Sequence, residues 1–282
     1  MRAVLKFSCF SIFRTGWFEP LDENQVPMKP SPHQLNELIA ETHLNHVNFA
    51  RGKSKMAVWF VSACNSMSSR NEYVDRLKLF IDVDVFGNCG TKQCSLSDPV
   101  ECRKMAAHNY KFYLALENSL CTDYVSEKFF GPMHYNIIPI VFDLHGNHEK
   151  LAPPHSYINA AQFQSVRDLA DYLRLLNSND RLYNEYFWWK KHYVVRDVCK
   201  ETIAEDDNKK IKKTNVDKIA MCQLCQRLHQ QSIVPQNKIY RNMTDWWDIQ
   251  ANCQTAQITT PLTQNDESHY WKAVPSLVKL FV

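Results

Sequence analysis

Glycine is scarce in this chain. Only six occur among 282 residues, and none falls into a G-x-G-x-x-G or a G-x-x-x-x-G-K-[S/T] arrangement. Any phosphate-bearing ligand must then be held by side chains and helix ends rather than by a glycine-lined cradle. This argues against a nicotinamide dehydrogenase or a P-loop ATPase. Long apolar runs are missing as well: no stretch approaches the roughly 18–20 apolar residues of a membrane-spanning helix. The opening run from Met1 to Phe13 has a basic start and an apolar body. It lacks a clear small-residue cleavage site before Arg14, so it reads as a poor signal peptide. Nor is charge of one sign in excess, since the net +3 is too mild to argue for a nucleic-acid partner.

Cysteine, by contrast, is plentiful. Ten are present, at positions 9, 64, 89, 94, 102, 121, 199, 222, 225 and 253. Together with the Asn242-Met243-Thr244 acceptor triplet for N-glycosylation they favour an oxidising, secretory-pathway lumen, with reduced structural cysteines as the alternative. Cys222-x-x-Cys225 with His229 four residues on has the makings of half a zinc site, but only one such pair exists. The length allows one large domain or two modest ones.

Residues 1 to about 31 include Pro20, Pro27 and Pro30 and read as irregular. From Pro32 a helical spacing of Leu35, Leu38, Ile39 and Val47 appears, broken at Arg51–Lys55. Met56–Ser62 is a buried-type strand. A polar turn from Asn65 to Ser69 leads into a helix over 70–80, with Tyr73, Leu77 and Phe80 on one face. Ile81–Phe86 is a second strand, closed by Gly87. Strand, helix and strand within about 30 residues make a βαβ unit and imply a parallel sheet. Residues 88–109 read as a cysteine-bearing loop, and Asn136–Phe142 as a further strand entered through Pro139. Ser165 opens a helix with Asp168 three residues on. A second helix from about Asp180 carries Tyr183, Tyr186 and Phe187. Glu201–Lys213 is a charged excursion, and Val216–Gln231 a final helix.

Between these lies the most informative stretch, 110–130. Phe112–Leu116 is apolar enough for a buried strand, and the polar turn Glu117-Asn118-Ser119 follows. Asp123 or Ser126 then caps a helix that carries Glu127, Lys128, Phe129 and Phe130. A strand that ends in polar residues and feeds a helix is a common way to place an anion in an α/β fold. This segment, FYLALENSLCTDYVSEKFF, resembles the signature of the α1,3/4-fucosyltransferases (glycosyltransferase family 10). These Golgi enzymes transfer fucose from GDP-fucose to N-acetylglucosamine. The spacing from Glu117-Asn118 through Tyr124 to Glu127-Lys128 matches without a gap, and the resemblance extends from about Ala57 to about His192, with a weaker tail to Cys253.

The resemblance implies a GT-B-type α/β fold whose Rossmann-like, parallel-sheet C-terminal domain binds the donor, beside an incomplete N-terminal region. Three segments are expected: 1–55 as an N-terminal remnant and linking helix, 56–200 as the GDP-fucose-binding domain, and 201–282 as a cysteine-containing extension. Arg70 matches the family arginine that contacts the donor diphosphate, where a guanidinium can fork onto phosphate oxygens. Lys128 is the second cation, Glu127 resembles the residue that bonds the ribose hydroxyls, and Asn118 and Tyr124 resemble donor-pocket residues. Glu117 is a pocket carboxylate whose role stays open. The resemblance also favours disulfides involving Cys199, Cys222, Cys225 and Cys253, with the pairing open, and leaves Asn242 as the glycosylation candidate. No cofactor is implied as essential, with Mn²⁺ stimulation left open.

The partners implied are GDP-fucose, a glycan or glycoprotein acceptor, and the Golgi membrane through an anchor not found in this sequence. The expected location is the Golgi lumen. The family's general-base carboxylate lies in a Glu-Ser-Pro-like segment of its N-terminal domain. Glu19-Pro20 is the nearest echo here, so the catalytic residues stay unassigned and a truncated chain is expected. The competing reading is a GDP-fucose-binding fragment or pseudoenzyme without turnover. Two look-alikes are set aside. Asp82-Val83-Asp84 has the D-x-D form of a metal-dependent glycosyltransferase but falls inside an alternating strand. His145, His148 and Glu149 are metal-ligand types on what reads as a turn.

Overall fold

The structure, a computed structural model, describes residues 16–21, 26–44, 47–94, 99–197, 249 and 251–254. Its centre is a five-stranded parallel sheet: β2 (Lys55–Phe60), β3 (Val83–Phe86), β4 (Tyr110–Leu114), β5 (Ile138–Val141) and β6 (Ile158–Asn159), in the order β3-β2-β4-β5-β6. All four pairings are parallel, with Val58 opposite both Asp84 and Tyr113, and Phe112 opposite Ile138. The crossovers are α2 (Arg70–Leu77), α3 (Pro99–Asn109), α4 (Glu127–Met133) and α5 (Asn147–Leu151). Preceding the sheet are β1 (Gly16–Pro20) and α1 (Pro32–Leu44), and following it are α6 (Val166–Ser178), α7 (Asp180–Glu185) and β7 (Tyr193–Asp197).

Both faces of the sheet are covered, which is why its strands read as continuous apolar runs rather than alternating ones. Ala57, Trp59, Phe112, Leu114, Ile138 and Ile140 pack with Tyr73, Val74 and Leu77 of α2 and with Leu169, Leu173 and Leu176 of α6. Val58, Tyr113 and Val141 face the other way, onto Ala106 of α3 and Phe129, Phe130 and Met133 of α4. The chain therefore runs outward from β2 to β3 on one face, then returns past β2 to β4 on the other. The winding reverses between β2 and β4. In a doubly wound sheet a ligand crevice opens at this place, outside the strand C-termini.

Local signals explain the helix starts. Ser126 caps α4, its side chain accepting from the Lys128 amide, and Ser165 caps α6 by accepting from the Asp168 amide at 3.1 Å. Gly87 closes β3 at φ 98°, where an added Cβ would lie 2.5 Å from the Val61 carbonyl oxygen.

Two expectations are corrected, and one open pairing is filled. Residues 16–20, read as irregular, form β1, which pairs antiparallel with β7 from Gly16–Asp197 to Pro20–Tyr193. Phe18 of this ribbon is buried edge-on against Trp189 at 5.2 Å. The partner strand lies far along the chain, so no local period announces the pairing, and Pro20 sits at a strand end where it is tolerated. The supposed loop over 88–109 contains α3, stapled by a Cys94–Cys102 disulfide. Cys253, expected in a disulfide whose pairing was left open, bonds to Cys121, because the segment 251–254 lies against the loop after β4. A third bridge joins Cys64 to Cys89. Cys199, Cys222, Cys225, His229, Asn242, the charged run 201–213 and the helix expected over 216–231 lie outside the described residues.

Candidate donor site

The loops after β2 and β4 meet at the reversal point and are tied to each other. The Ser68 amide donates to the Asn118 carbonyl at 3.1 Å, and the Ser68 hydroxyl donates to the Glu117 carbonyl at 2.7 Å. Arg70 makes the third tie. It opens α2 after Ser69, which takes a left-handed φ of 50°, and its guanidinium reaches across the crevice. Nη1 donates to the Leu116 carbonyl at 2.8 Å and Nη2 to the Ala63 carbonyl at 3.1 Å, above the Trp59 ring. Its Nε is buried with no hydrogen-bond partner. Burial pulls the Arg70 pKa down and Glu117 partly offsets this, but a guanidinium stays charged. Both terminal nitrogens of Arg70 are thus turned onto backbone carbonyls rather than toward open space.

Glu117, whose role the sequence leaves open, organises the other wall. Its Oε1 accepts from the Ser126 amide at 2.7 Å and its Oε2 from the Ser126 hydroxyl at 2.8 Å. Lys128 folds back over this pair. Its Nζ lies 3.0 Å from Ser126 Oγ, 3.3 Å from Glu117 Oε2 and 3.2 Å from Glu127 Oε1. Burial alone would lower the Lys128 pKa, yet Glu117 and Glu127 outweigh it and hold the value above the usual lysine range. For Glu127 burial pushes upward and the Lys128 charge wins, leaving its carboxyl below the ordinary glutamate value. Tyr124 is half-buried and feels Glu117, Lys128, Glu127 and Arg70 together, with burial as the main cause of its raised phenol pKa. Asn118 is half-buried, and its Oδ1 is enclosed without a hydrogen-bond partner.

Arg70, Glu117, Tyr124, Glu127 and Lys128 thus lie close enough to act on one another, with Asn118 next to Glu117 in the chain. Two cations, two carboxylates and a phenol balance without a ligand. A diphosphate entering there would compete with Glu127 for Lys128, and charge developing on a phosphate oxygen would meet a fixed cation.

A shallow cleft continues from Glu117 and Tyr124 between the loop after β4 and the turn after β5, lined also by Asp143, His145, Asn147 and His148. Asp143 Oδ2 accepts from the His148 amide at 2.7 Å and lies 2.9 Å from its Nδ1, while Oδ1 accepts from the His145 amide at 3.0 Å. These bonds make the histidine turn a closed structural unit, with His148 Nε2 buried and unpartnered. His145 points elsewhere, to the Leu120 carbonyl at 3.3 Å, and Glu149 is exposed. Asp84 is engaged too, with Lys55 at 2.8 Å, Lys92 at 2.7 Å and the Tyr110 hydroxyl at 2.5 Å. Sequence reasoning missed Ser68, Asp143 and Asn147. Ser68 and Asn147 act on backbone of a second loop, Asp143 holds the amides of its own turn, and only Ser126, flagged as a cap, carried a local signal.

Comparison with known proteins shows the family. The chain is 40% identical over 196 residues to α-(1,3)-fucosyltransferase C of Drosophila melanogaster, covering 70% of this chain and 41% of that protein. It is 34% identical over 211 residues to glycoprotein 3-α-L-fucosyltransferase A of the same organism, covering 74% of this chain and 38% of that one. The chain thus spans about two-fifths of the length of the curated relatives it matches. A crystal structure described as α1,3-fucosyltransferase with GDP-fucose aligns at a TM-score of 0.44 and 20% identity, over 79% of this chain and 60% of that one. The model of the glycosyltransferase family 10 (fucosyltransferase) C-terminal region matches residues 50–246, a span that holds the whole sheet and the crevice, and the chain belongs to that family.

Proposed function

We propose that this chain binds GDP-fucose in the crevice between the loops after β2 and β4, as the donor half of a GT-B-type enzyme. The fucose passes, with inversion, to a hydroxyl of N-acetylglucosamine in a glycan or glycoprotein. One observation carries the reading: in a family 10 chain, Arg70, Glu117, Tyr124, Glu127 and Lys128 interact as one electrostatic cluster at the point where the winding of the sheet reverses. In this reading Lys128 exchanges its carboxylate partners for the diphosphate. Glu127, released, turns to the ribose hydroxyls, and the enclosed Oδ1 of Asn118 gains a donor. Arg70 holds the two loops at the spacing the diphosphate needs. As GDP departs, the growing negative charge is met by cations already in place, so little reorganisation is needed at the moment of bond breaking. The acceptor hydroxyl needs a general base, worth about 10²–10⁴ in rate, and no residue is assigned to that step.

The donor is held without a resident metal in this reading, since both oxygens of Asp84 already face lysines. The proposed location is the lumen of the Golgi, in association with its membrane. Three disulfides within the described residues support an oxidising compartment. Among the described residues no helix is long and apolar enough to cross a membrane.

The test has two stages. Calorimetry with GDP and GDP-fucose should show saturable binding, and its absence would remove the donor site. Radiolabelled transfer to an N-glycopeptide and to N-acetyllactosamine then separates an active transferase from a chain that binds donor without turnover.

A further inference from the structure

The loop that delivers Tyr124 and Ser126 to the crevice has little structure of its own. Residues 120–124 lie outside the helices and sheet, with Leu120 in an isolated bridge to Gln254. Asp123 adopts a left-handed φ of 62°, a conformation that Asp tolerates better than most residues yet that persists only when its surroundings impose it. Those surroundings grip the loop from two sides. On one side the buried Asn147 side chain, at the start of α5, donates from Nδ2 to the Cys121 carbonyl at 2.8 Å. Its Oδ1 accepts from the Asp123 amide at 2.7 Å. On the other side the Thr122 amide donates to the Ala251 carbonyl at 2.7 Å, and the Gln254 amide donates to the Leu120 carbonyl at 2.8 Å. The Cys121–Cys253 disulfide closes that contact across 132 residues of sequence.

We propose that Asn147 and the Cys121–Cys253 bridge are positioning groups of the donor site, fixing the 120–124 loop so that Tyr124, Ser126 and Lys128 meet a nucleoside diphosphate in a single arrangement. The inference rests on the reading of the crevice as a GDP site. Its physical basis is population. A loop released from either grip samples conformers in which Tyr124 and Ser126 are misplaced, and the apparent affinity falls in proportion to the competent fraction that remains. Neither positioning group touches the ligand in this account. Each acts through the backbone it holds, as outer-layer partners do when they orient the residues that bind. The two grips differ in kind. Asn147 satisfies two backbone groups that would otherwise be left unpaired, while the disulfide restricts the distance over which the loop can drift.

The experiment compares GDP binding, by calorimetry on the 282-residue chain, among wild type, Asn147→Ala, Asn147→Asp, and the double variant Cys121→Ser with Cys253→Ser. A second double variant, Cys94→Ser with Cys102→Ser, controls for the loss of a disulfide outside the loop. Asn147→Ala and the Cys121/Cys253 variant should each weaken GDP binding by about tenfold, the effect of lowering the competent fraction to about a tenth. Asn147→Asp, which keeps the acceptor for Asp123 but loses the donor to Cys121, should fall between Asn147→Ala and wild type. Hydrogen exchange at the Thr122 and Asp123 amides should quicken in the weakened variants and slow again on saturation with GDP. The control should keep wild-type affinity even where it unfolds at a lower temperature. Should the Cys121/Cys253 variant fail to fold, the two Asn147 variants decide the matter. Clamp variants that bind GDP as wild type does would overturn the inference alone, as would equal weakening in the control. Wild type that binds no GDP would overturn the donor-site reading as well.

Discussion

The two loops that wall the crevice use a cation in opposite ways. After β2, Arg70 is 5% exposed and its guanidinium is bonded to carbonyls of its own loop and of the neighbouring one. After β4, the Lys128 side chain is 25% exposed and its partners are two carboxylates and a hydroxyl. Carbonyls fixed in the backbone cannot step aside for a ligand, but the exposed Glu127 carboxylate can. Arg70 is therefore part of the wall, and Lys128 is the charge the wall presents. The family resemblance alone marks both as donor-site cations and does not separate these roles.

The comparison is broken most easily at Arg70. Arg70→Ala leaves the Leu116 and Ala63 carbonyls without their donors and Glu117 with Lys128 as its neighbouring cation. We expect a loss of stability of roughly 2–4 kcal/mol, readable in a urea unfolding curve. GDP binding should fall with it, because the two loops lose one of their three ties. A variant as stable as wild type but blind to GDP would mean that Arg70 is a ligand-facing group after all.

Lys128→Ala should behave in the reverse way. Its contribution to stability is that of a half-exposed ion pair, about 0–1 kcal/mol. GDP affinity should drop by roughly 1.5–3 kcal/mol, the range of a charge-assisted hydrogen bond. Equal GDP affinity in calorimetry for wild type and variant would take Lys128 out of the site. A smaller effect is expected from Mn²⁺, which should shift GDP affinity by less than about threefold, since Asp84 is already paired with Lys55 and Lys92. Strict dependence on the ion would return the Asp82-Asp84 pair to consideration.

How far the sequence carries differs between the same regions. The sheet strands and the start of α4 were legible because their information is local: an apolar run for a doubly covered strand, and Ser126 two residues before Lys128 for a cap. The convergence of Arg70 with Lys128 was legible only through the family resemblance, as the two lie on different loops. What stayed hidden depends on pairing over long separations. β1 needs β7 before it is a strand, and Cys253 finds Cys121 only because residues 251–254 lie against the loop after β4. Asn147 looked like one more polar residue of a turn. Nothing in its surroundings in sequence reveals that the amide of Asp123 and the carbonyl of Cys121 are its targets. α3 was obscured differently, because Cys94 and Cys102 drew the segment toward a loop reading while the helical residues between Pro99 and Asn109 carry only weak amphipathic contrast.

Glu127 offers the finest test of the contrast between the two walls, with the smallest effect. In the ligand-free chain it competes for Lys128, and in the proposed complex it bonds ribose. Glu127→Gln should therefore split two ligands that share a diphosphate. Inorganic pyrophosphate, which has no ribose, should bind as well as or up to about threefold better, because a competitor for Lys128 is gone. GDP should bind a few-fold more weakly, because a neutral amide accepts hydroxyl hydrogen bonds less strongly than a carboxylate. The same pair sets a pH window. The carboxyl of Glu127 is lowered below its unfolded value of 4.5, so its stabilising share is full above that pH and is lost as pH falls through the folded value. The ammonium of Lys128 is raised above 10.5, so its share is full below that pH and is lost as pH rises through the folded value. In Glu127→Gln the acid side of the stability profile should soften while the alkaline loss begins earlier, since Lys128 keeps Glu117 but loses one of the charges that raise it. A variant whose pyrophosphate and GDP affinities fall together would show that Glu127 holds the phosphate-facing wall in shape rather than reading the ribose.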